Sequence, residues 1–349
     1  MKKTLIVGAV IAAFTTAAAA QQASSVTLYG IADINVAQSE THAGATITGI
    51  DQVPNPRGSR FGMRGSENLG GGMRAIFQLE AGLSMADGTT TANSQLFNRH
   101  AWVGLAGGFG ELTVGRQDTL HRTMNLGNYS DVATEGELSV TTSNSGLQLM
   151  QNFGSRVNNA IRYTSPTMSG VQVRVQSAIG QRATASTNGI LVTYNQGPLR
   201  AAIAHEYYDG AGVAGPSRWN EVTTIGGQYN LGFATLALGY QTTDKLLAAN
   251  TATATSNISG EHSAYNIGVI YPVTKALGLR VQYTQSTTKT PAVGTTAATS
   301  RDYSRIGVST RYAFSGRTFG YVAYNQRDVD VPTATANKSS FGVGISHAF

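Results

Sequence analysis

The side chains best suited to chemistry in this sequence are arginines, and many of them occupy polar positions of a two-residue alternation. From Arg305 to Phe314, the apolar residues Ile306 and Val308 alternate with Arg305 and Ser309. Because successive side chains of a β-strand point to opposite faces, this pattern predicts a strand with one apolar and one polar face. Arginines stand at such polar positions in segment after segment: Arg60, Arg64, Arg74, Arg162, Arg174, Arg280, Arg305 and Arg311. We therefore expect rows of permanent positive charge on one side of a large sheet.

The other reactive residue types form no recognisable site. None of the six histidines has the spacing of a metal ligand relative to another histidine, and there is no cysteine. No nucleophile elbow, phosphate-binding loop or dinucleotide fingerprint occurs. We expect no metal, no cofactor and no enzyme activity, although a Ser–His pair brought together by the fold stays an open alternative.

Composition and charge exclude one class of partner. The chain has 25 Lys and Arg against 19 Asp and Glu, a net charge of +6, and the excess is dispersed along the sequence. Such a surplus does not predict nucleic-acid binding. Glycine is abundant and proline scarce, with 41 and 8 residues, which is typical of a large sheet with tight turns.

The N-terminus has the three parts of a secretory signal peptide. Lys2 and Lys3 precede an apolar run, and small residues lead up to Ala20. We expect cleavage of residues 1–20, which leaves 21–349 as one domain with a charge surplus of four. An uncleaved membrane anchor is the alternative, but the apolar run is short for a spanning helix.

Short glycine-rich links alternate with long polar links along the rest of the chain. Seven short and eight long links join sixteen predicted strands. The short links are 68–72, 106–110, 168–170, 196–198, 230–232, 272–278 and 314–317; the long ones are 39–57, 84–96, 119–157, 181–187, 209–219, 244–260, 288–301 and 328–337. This regular alternation predicts an all-β fold, a 16-stranded antiparallel transmembrane β-barrel, with arginines facing a wet lumen and apolar residues facing lipid. Polar and apolar residues also alternate along the strands of a soluble β-sandwich. Sixteen strands would need two such domains, however, and no linker divides the chain.

Several sequence blocks resemble the general diffusion porins of Gram-negative bacteria, most closely the betaproteobacterial type. They are Ser25–Gly30, Ser59–Gly70, Ala75–Glu80, Asn98–Leu105, Gly110–Gln117 and the C-terminal Phe341–Phe349. The resemblance covers the whole chain after the predicted signal peptide. It implies a homotrimer of 16-stranded barrels in the cell outer membrane, with the third external loop folded into the lumen.

The same resemblance assigns roles to particular residues. It implies a pore constriction in which wall arginines Arg60, Arg99 and Arg156 face the acids Glu80, Asp131, Glu135 and Glu137. The first-strand lysine of enterobacterial relatives is replaced by Ile31, and their Pro-Glu-Phe-Gly-Gly loop motif is absent. Arg64, Arg74, Arg162 and Arg174 are expected to line the lumen, and Phe349 is expected to be the assembly signal.

The resemblance implies a water-filled channel for passive diffusion of small hydrophilic solutes, and the wall arginines favour a weak preference for anions. Its expected partners are outer-membrane lipid, lipopolysaccharide and the barrel-assembly machinery. The tyrosines near strand ends, grouped with Trp102 and Trp219, are expected in aromatic girdles at the membrane interfaces. Two alternatives stay open: a substrate-specific porin for organic anions, and a barrel acting mainly as an adhesin or receptor through links 39–57 and 244–260.

Overall fold

The computed structural model describes residues 24–50, 58–92, 95–127, 129, 155–179, 186–209, 219–244, 261–290, 298–329 and 337–349. No helix within these ranges is both long and apolar enough to cross a membrane.

The described chain consists of β-strands and one short helix. The strands are β1 (Ser25–Thr41), β2 (Thr46–Ile50), β3 (Arg60–Gly70), β4 (Met73–Gly82), β5 (His100–Gly107), β6 (Gly110–Asp118), β7 (Arg156–Thr164), β8 (Val171–Ala178), β9 (Ser186–Gln196), β10 (Leu199–Asp209), β11 (Trp219–Asn230), β12 (Thr235–Asp244), β13 (Glu261–Pro272), β14 (Leu277–Thr290), β15 (Thr299–Ala313), β16 (Thr318–Val329) and β17 (Asn337–Ala348). The helix α1 (Leu120–Leu126) follows β6.

The sheet closes on itself. From β3 to β17 each strand pairs antiparallel with the next, and β17 pairs with β1 from Ile31↔Ala348 to Thr41↔Asn337. On the other edge of β1, Ser25–Ile31 pairs with β3 and Val36–Glu40 pairs with β2. β2 and β3 therefore share one position around the barrel, and the predicted sixteen-stranded closed barrel is confirmed.

Side chains sort by face as the alternation predicted. On β15, Arg305 is 5% exposed, whereas the neighbouring Ile306 is 45% exposed. Val171 and Val175 on β8 and Val343 and Ile345 on β17 also face outward. The outside of the barrel is thus apolar and the inside polar, which is the arrangement of a barrel that crosses a lipid bilayer.

Tight turns connect strands at one end of the barrel. Gly71 and Gly72 link β3 to β4 with φ of +58° and +77°, a pair of left-handed residues that a two-residue hairpin turn requires. The seven short links predicted from sequence all fall between paired strands. The long link that differs most from prediction is 39–57, because part of it is strand: β1 continues to Thr41 and β2 pairs with it across a turn at Gly44.

Helix α1 lies against the inner wall of the barrel. Thr119 caps its N-terminus by accepting a hydrogen bond from the Arg122 backbone N–H. Leu120 and Met124 are fully buried in a cluster with inward-facing residues of β9 and β10, namely Leu191, Ala202 and Ala204. This contact explains why the small apolar residues Ala202 and Ala204 occupy inward-facing positions of β10. Most of link 119–157 beyond α1 lies outside the described residues, so the folding of the whole third loop into the lumen stays a prediction.

Candidate functional site

A first cluster on the inner wall is built around the carboxylate of Glu80. Arg99 donates to it from Nε at 2.5 Å, and Arg60 Nη1 lies 3.9 Å away. Tyr29 donates its hydroxyl to the second carboxylate oxygen at 2.8 Å, and Gln78 donates to that hydroxyl at 2.6 Å. Glu80 is only 3% exposed, so this buried charge is held by two cations and a phenol.

The register of β1, β3 and β4 builds this cluster. Tyr29 pairs with Gly62, which pairs with Glu80, so Tyr29 reaches Glu80 across a residue without a side chain. A Cβ at Gly62 would lie 2.7 Å from the Tyr29 hydroxyl and 2.8 Å from the Leu79 carbonyl oxygen. Glycine is required here because a side chain would displace the tyrosine.

A second cluster surrounds Asp118 at the end of β6. Arg122 of α1 and Arg156 of β7 each lie 3.1 Å from one carboxylate oxygen, and His100 lies 3.5 Å from the other. The Asp118 backbone carbonyl accepts a hydrogen bond from Arg162. Asp118 thereby connects two wall strands with the start of the third long connection.

The structure divides the predicted constriction residues between these clusters. Arg60 and Arg99 meet Glu80, whereas Arg156 pairs with Asp118. The predicted loop acids Asp131, Glu135 and Glu137 lie outside the described residues.

The four predicted lumen-lining arginines occupy two places. Arg64 lies over the ring of Tyr29, 5.3 Å from its centroid. Arg74, Arg162 and Arg174 line a recess of about 510 Å³ on the inner side of β4 to β8. Arg162 also donates to the Gln176 side chain at 2.7 Å.

The clusters also contain residues that were not predicted from the sequence: Asp118, Arg122, His100 and Tyr29. The strand register slips between Gly115 and Gln117, so strict alternation along β6 does not place Asp118 on the lumen side. The pattern Gln117-Asp118-Thr119 at the edge of a long link was the available signal, because Thr119 is a typical helix cap. Trp102, grouped with the interfacial aromatics, instead lines the inner recess, whereas Val103 beside it is 60% exposed.

A third inner carboxylate anchors α1. Glu206 of β10 accepts hydrogen bonds from the backbone N–H groups of Leu120 and His121 at 2.8 and 2.9 Å. His121 Nδ1 is 2.6 Å from the same side chain. Glu206 thereby joins the segment after β6 to the barrel wall at β10, four strands later in the sequence.

The arrangement is suited to permeation. Within the described residues, no group of three or more His, Cys, Asp and Glu could hold a metal ion. Fixed charges on the inner wall of a closed barrel with an apolar exterior define a membrane-spanning pore.

Comparison with known proteins places this pore in a family. Residues 8–332 match the model of the Gram-negative porin family. The chain is 34% identical to outer membrane porin protein 32 of Delftia acidovorans, over 68% of each chain, and 31% identical to an outer membrane porin protein of Bordetella pertussis, over 70% of each.

Solved structures show the same fold. An anion-selective porin from Comamonas acidovorans superposes with a TM-score of 0.73 at 27% identity, over 94% of this chain and 100% of that one. A trimer form of OmpT from Vibrio cholerae shares the fold, with a TM-score of 0.69 at 15% identity, over 94% of this chain and 100% of that one. The chain belongs to the Gram-negative porin family: it is an outer-membrane porin, a water-filled channel for passive diffusion of small hydrophilic solutes.

Proposed function

We propose that this porin is a general diffusion channel with a weak preference for anions, set by the Glu80 and Asp118 clusters. The observation that carries the proposal is their charge balance. Within the part of the chain that the structure describes, the four arginines Arg60, Arg99, Arg122 and Arg156 lie around two carboxylates, those of Glu80 and Asp118. Similarity to an anion-selective porin supports the same sign of selectivity.

Local charge matters more than net charge because selectivity is set where the pore is narrow. A pair of unit charges 4 Å apart interacts by about 1 kcal/mol in water and about 4 kcal/mol at an effective dielectric constant of 20. Charges at loop tips are screened over about 10 Å in 0.1 M salt. Charges in the two clusters can therefore outweigh a larger number of charges on the rim.

Assembly and location in the cell complete the proposed function. We propose that the third external loop continues inward from α1, with Asp131, Glu135 and Glu137 near the constriction, and that the porin forms a homotrimer. It is exported after removal of residues 1–20, is inserted by the barrel-assembly machinery and contacts outer-membrane lipid and lipopolysaccharide. It passes solutes without converting them chemically.

The experiment that tests the proposal is a double substitution, Arg60→Ser with Arg99→Ser. Purified protein is inserted in planar bilayers and the zero-current potential is measured across a KCl gradient. Loss of two positive charges should lower the chloride-to-potassium permeability ratio by about fivefold, which corresponds to about 1 kcal/mol. Conductance should also rise, because two long side chains leave the pore.

Arg311→Ser is the matched control, since Arg311 stacks on Phe319 on β16, away from both clusters. The control should change the permeability ratio little. Equal ratios in wild type and the double variant would contradict the placement of the constriction at the Glu80 cluster.

A further inference from the structure

A recess in the lumen adjoins the Glu80 cluster on the side of the short turns. It has a volume of about 510 Å³, within the range of sites for small ligands, and is lined by wall residues of β4 to β8 and by Thr123 of α1. Gln78 connects the two places, because it lines the recess and also donates to Tyr29 of the cluster. A solute moving along this wall passes both.

The recess contains an aromatic ring that faces water. Trp102 pairs with Gln78 on one side and with Gly115 on the other, so one of its lateral neighbours has no side chain. Arginines cover the rings of Tyr29, Tyr129 and Phe319, but among the described residues none stacks on Trp102. The indole is partly exposed and lines the recess, where a planar apolar group could stack on it.

The same recess carries an excess of positive charge. Arg74, Arg162 and Arg174 line it together with a single carboxylate, Glu111. Arg162 is held by Gln176 and the Asp118 carbonyl, whereas Arg74 and Arg174 make no hydrogen bond or ion pair with the described residues. The guanidinium N–H groups of Arg74 and Arg174 can therefore donate hydrogen bonds to the carboxylate of a solute.

We propose that this recess is a binding subsite for small aromatic carboxylates, which stack on Trp102 and pair with Arg74 or Arg174. The inference rests on the proposed anion-preferring channel, and it adds a solute class to it. Aliphatic acids of the same charge can also pair with the arginines through their carboxylate, but they have no ring to stack on the indole of Trp102. The subsite therefore distinguishes solutes by ring as well as by charge.

Fluorescence tests binding directly. The chain has two tryptophans, so Trp219→Phe leaves Trp102 as the only indole reporter. Titration of this detergent-purified variant with 4-nitrobenzoate should give saturable quenching, whereas neutral 4-nitrobenzyl alcohol should quench only by collision, without saturation. Adding Arg74→Gln and Arg174→Gln should abolish the saturable part, and adding Arg311→Gln, which removes a lumen arginine elsewhere, should leave it unchanged.

Channel block tests the consequence for permeation. Benzoate should reduce chloride current through the wild-type pore at concentrations about tenfold lower than acetate does, as expected for one aromatic contact. Trp102→Ala should remove this difference between the two acids, while Trp102→Phe should retain most of it.

The outcomes separate the two proposals. A protein that forms no channel, or one that prefers cations, overturns the proposed function. Normal anion-preferring channels with linear quenching by 4-nitrobenzoate and equal block by benzoate and acetate would overturn the subsite alone.

Discussion

At the scale of single residues, Glu80 is the charge that most limits the positive potential of its cluster. Glu80→Gln removes the negative partner of Arg60 and Arg99 while keeping a side chain of similar size. We expect the chloride-to-potassium permeability ratio to rise, the opposite of the change in the Arg60 and Arg99 double variant. Reversal potentials in a KCl gradient measure it.

Glu67→Gln is the control for this substitution, because Glu67 is exposed near the turn end of β3. Both variants lose one negative charge, so a response to net charge alone would shift both equally. Equal shifts would contradict a local role for Glu80.

The sequence predicted residues of this site only in part. Arg60, Arg99 and Glu80 could be placed by resemblance, and the structure brings them together. Asp118 could not, since the slip in register at the end of β6 changes which side chains face the lumen. Trp102 was missed for a different reason: its type alone suggests a membrane interface, and only the pairing with Gln78 shows that it faces inward.

At the scale of elements, α1 depends on one buried carboxylate. Glu206 accepts two backbone hydrogen bonds at the start of α1 and contacts His121. Because hydrogen bonds to a charged group contribute about 1.5–3 kcal/mol each, Glu206→Ala should release the helix from β10. We expect more open-channel current noise and faster protease cleavage near residue 126, with the barrel still folded.

Glu221→Gln provides the comparison, because Glu221 is exposed on the neighbouring strand β11 and should leave both readouts unchanged. If Glu206→Ala leaves the current noise and the rate of protease cleavage at wild-type levels, Glu206 does not hold α1 in place.

The helix α1 itself was not predicted from the sequence, whereas the strands around it were. Polar and apolar residues alternate along strands that have water on one side and lipid on the other. A helix of seven residues on the inner wall is too short to show a comparable hydrophobic period in the sequence.

At the scale of the whole molecule, the last residue closes the barrel. The Phe349 backbone exchanges two hydrogen bonds of 3.1 Å with Gly30, and its ring fills the space where a Gly30 side chain would lie. If Phe349 is also an assembly signal, its deletion should reduce outer-membrane levels in cells more than it reduces refolding in detergent. Equal reductions, measured by membrane fractionation and by heat-modifiable gel migration, would leave it a purely structural residue.

The fold as a whole was the most predictable level. The short links are too short for anything but a hairpin between neighbouring strands. Each alternating segment can present an apolar face to lipid and a polar face to water, so the order of strands around the barrel follows their order in the sequence. The division of one barrel position between β2 and β3 was not foreseen, because the polar composition of residues 39–57 hides the pairing of Thr46–Ile50 with β1.

Anion preference of an open pore, set by arginines on the inner wall, is the property on which the proposed function depends. Its most direct test is the wild-type protein alone in a planar bilayer, with the zero-current potential recorded across a tenfold KCl gradient. We expect stepwise insertion of ohmic channels and a potential whose sign shows chloride to be more permeable than potassium. A potential of the opposite sign, or protein that inserts without conducting, would contradict it.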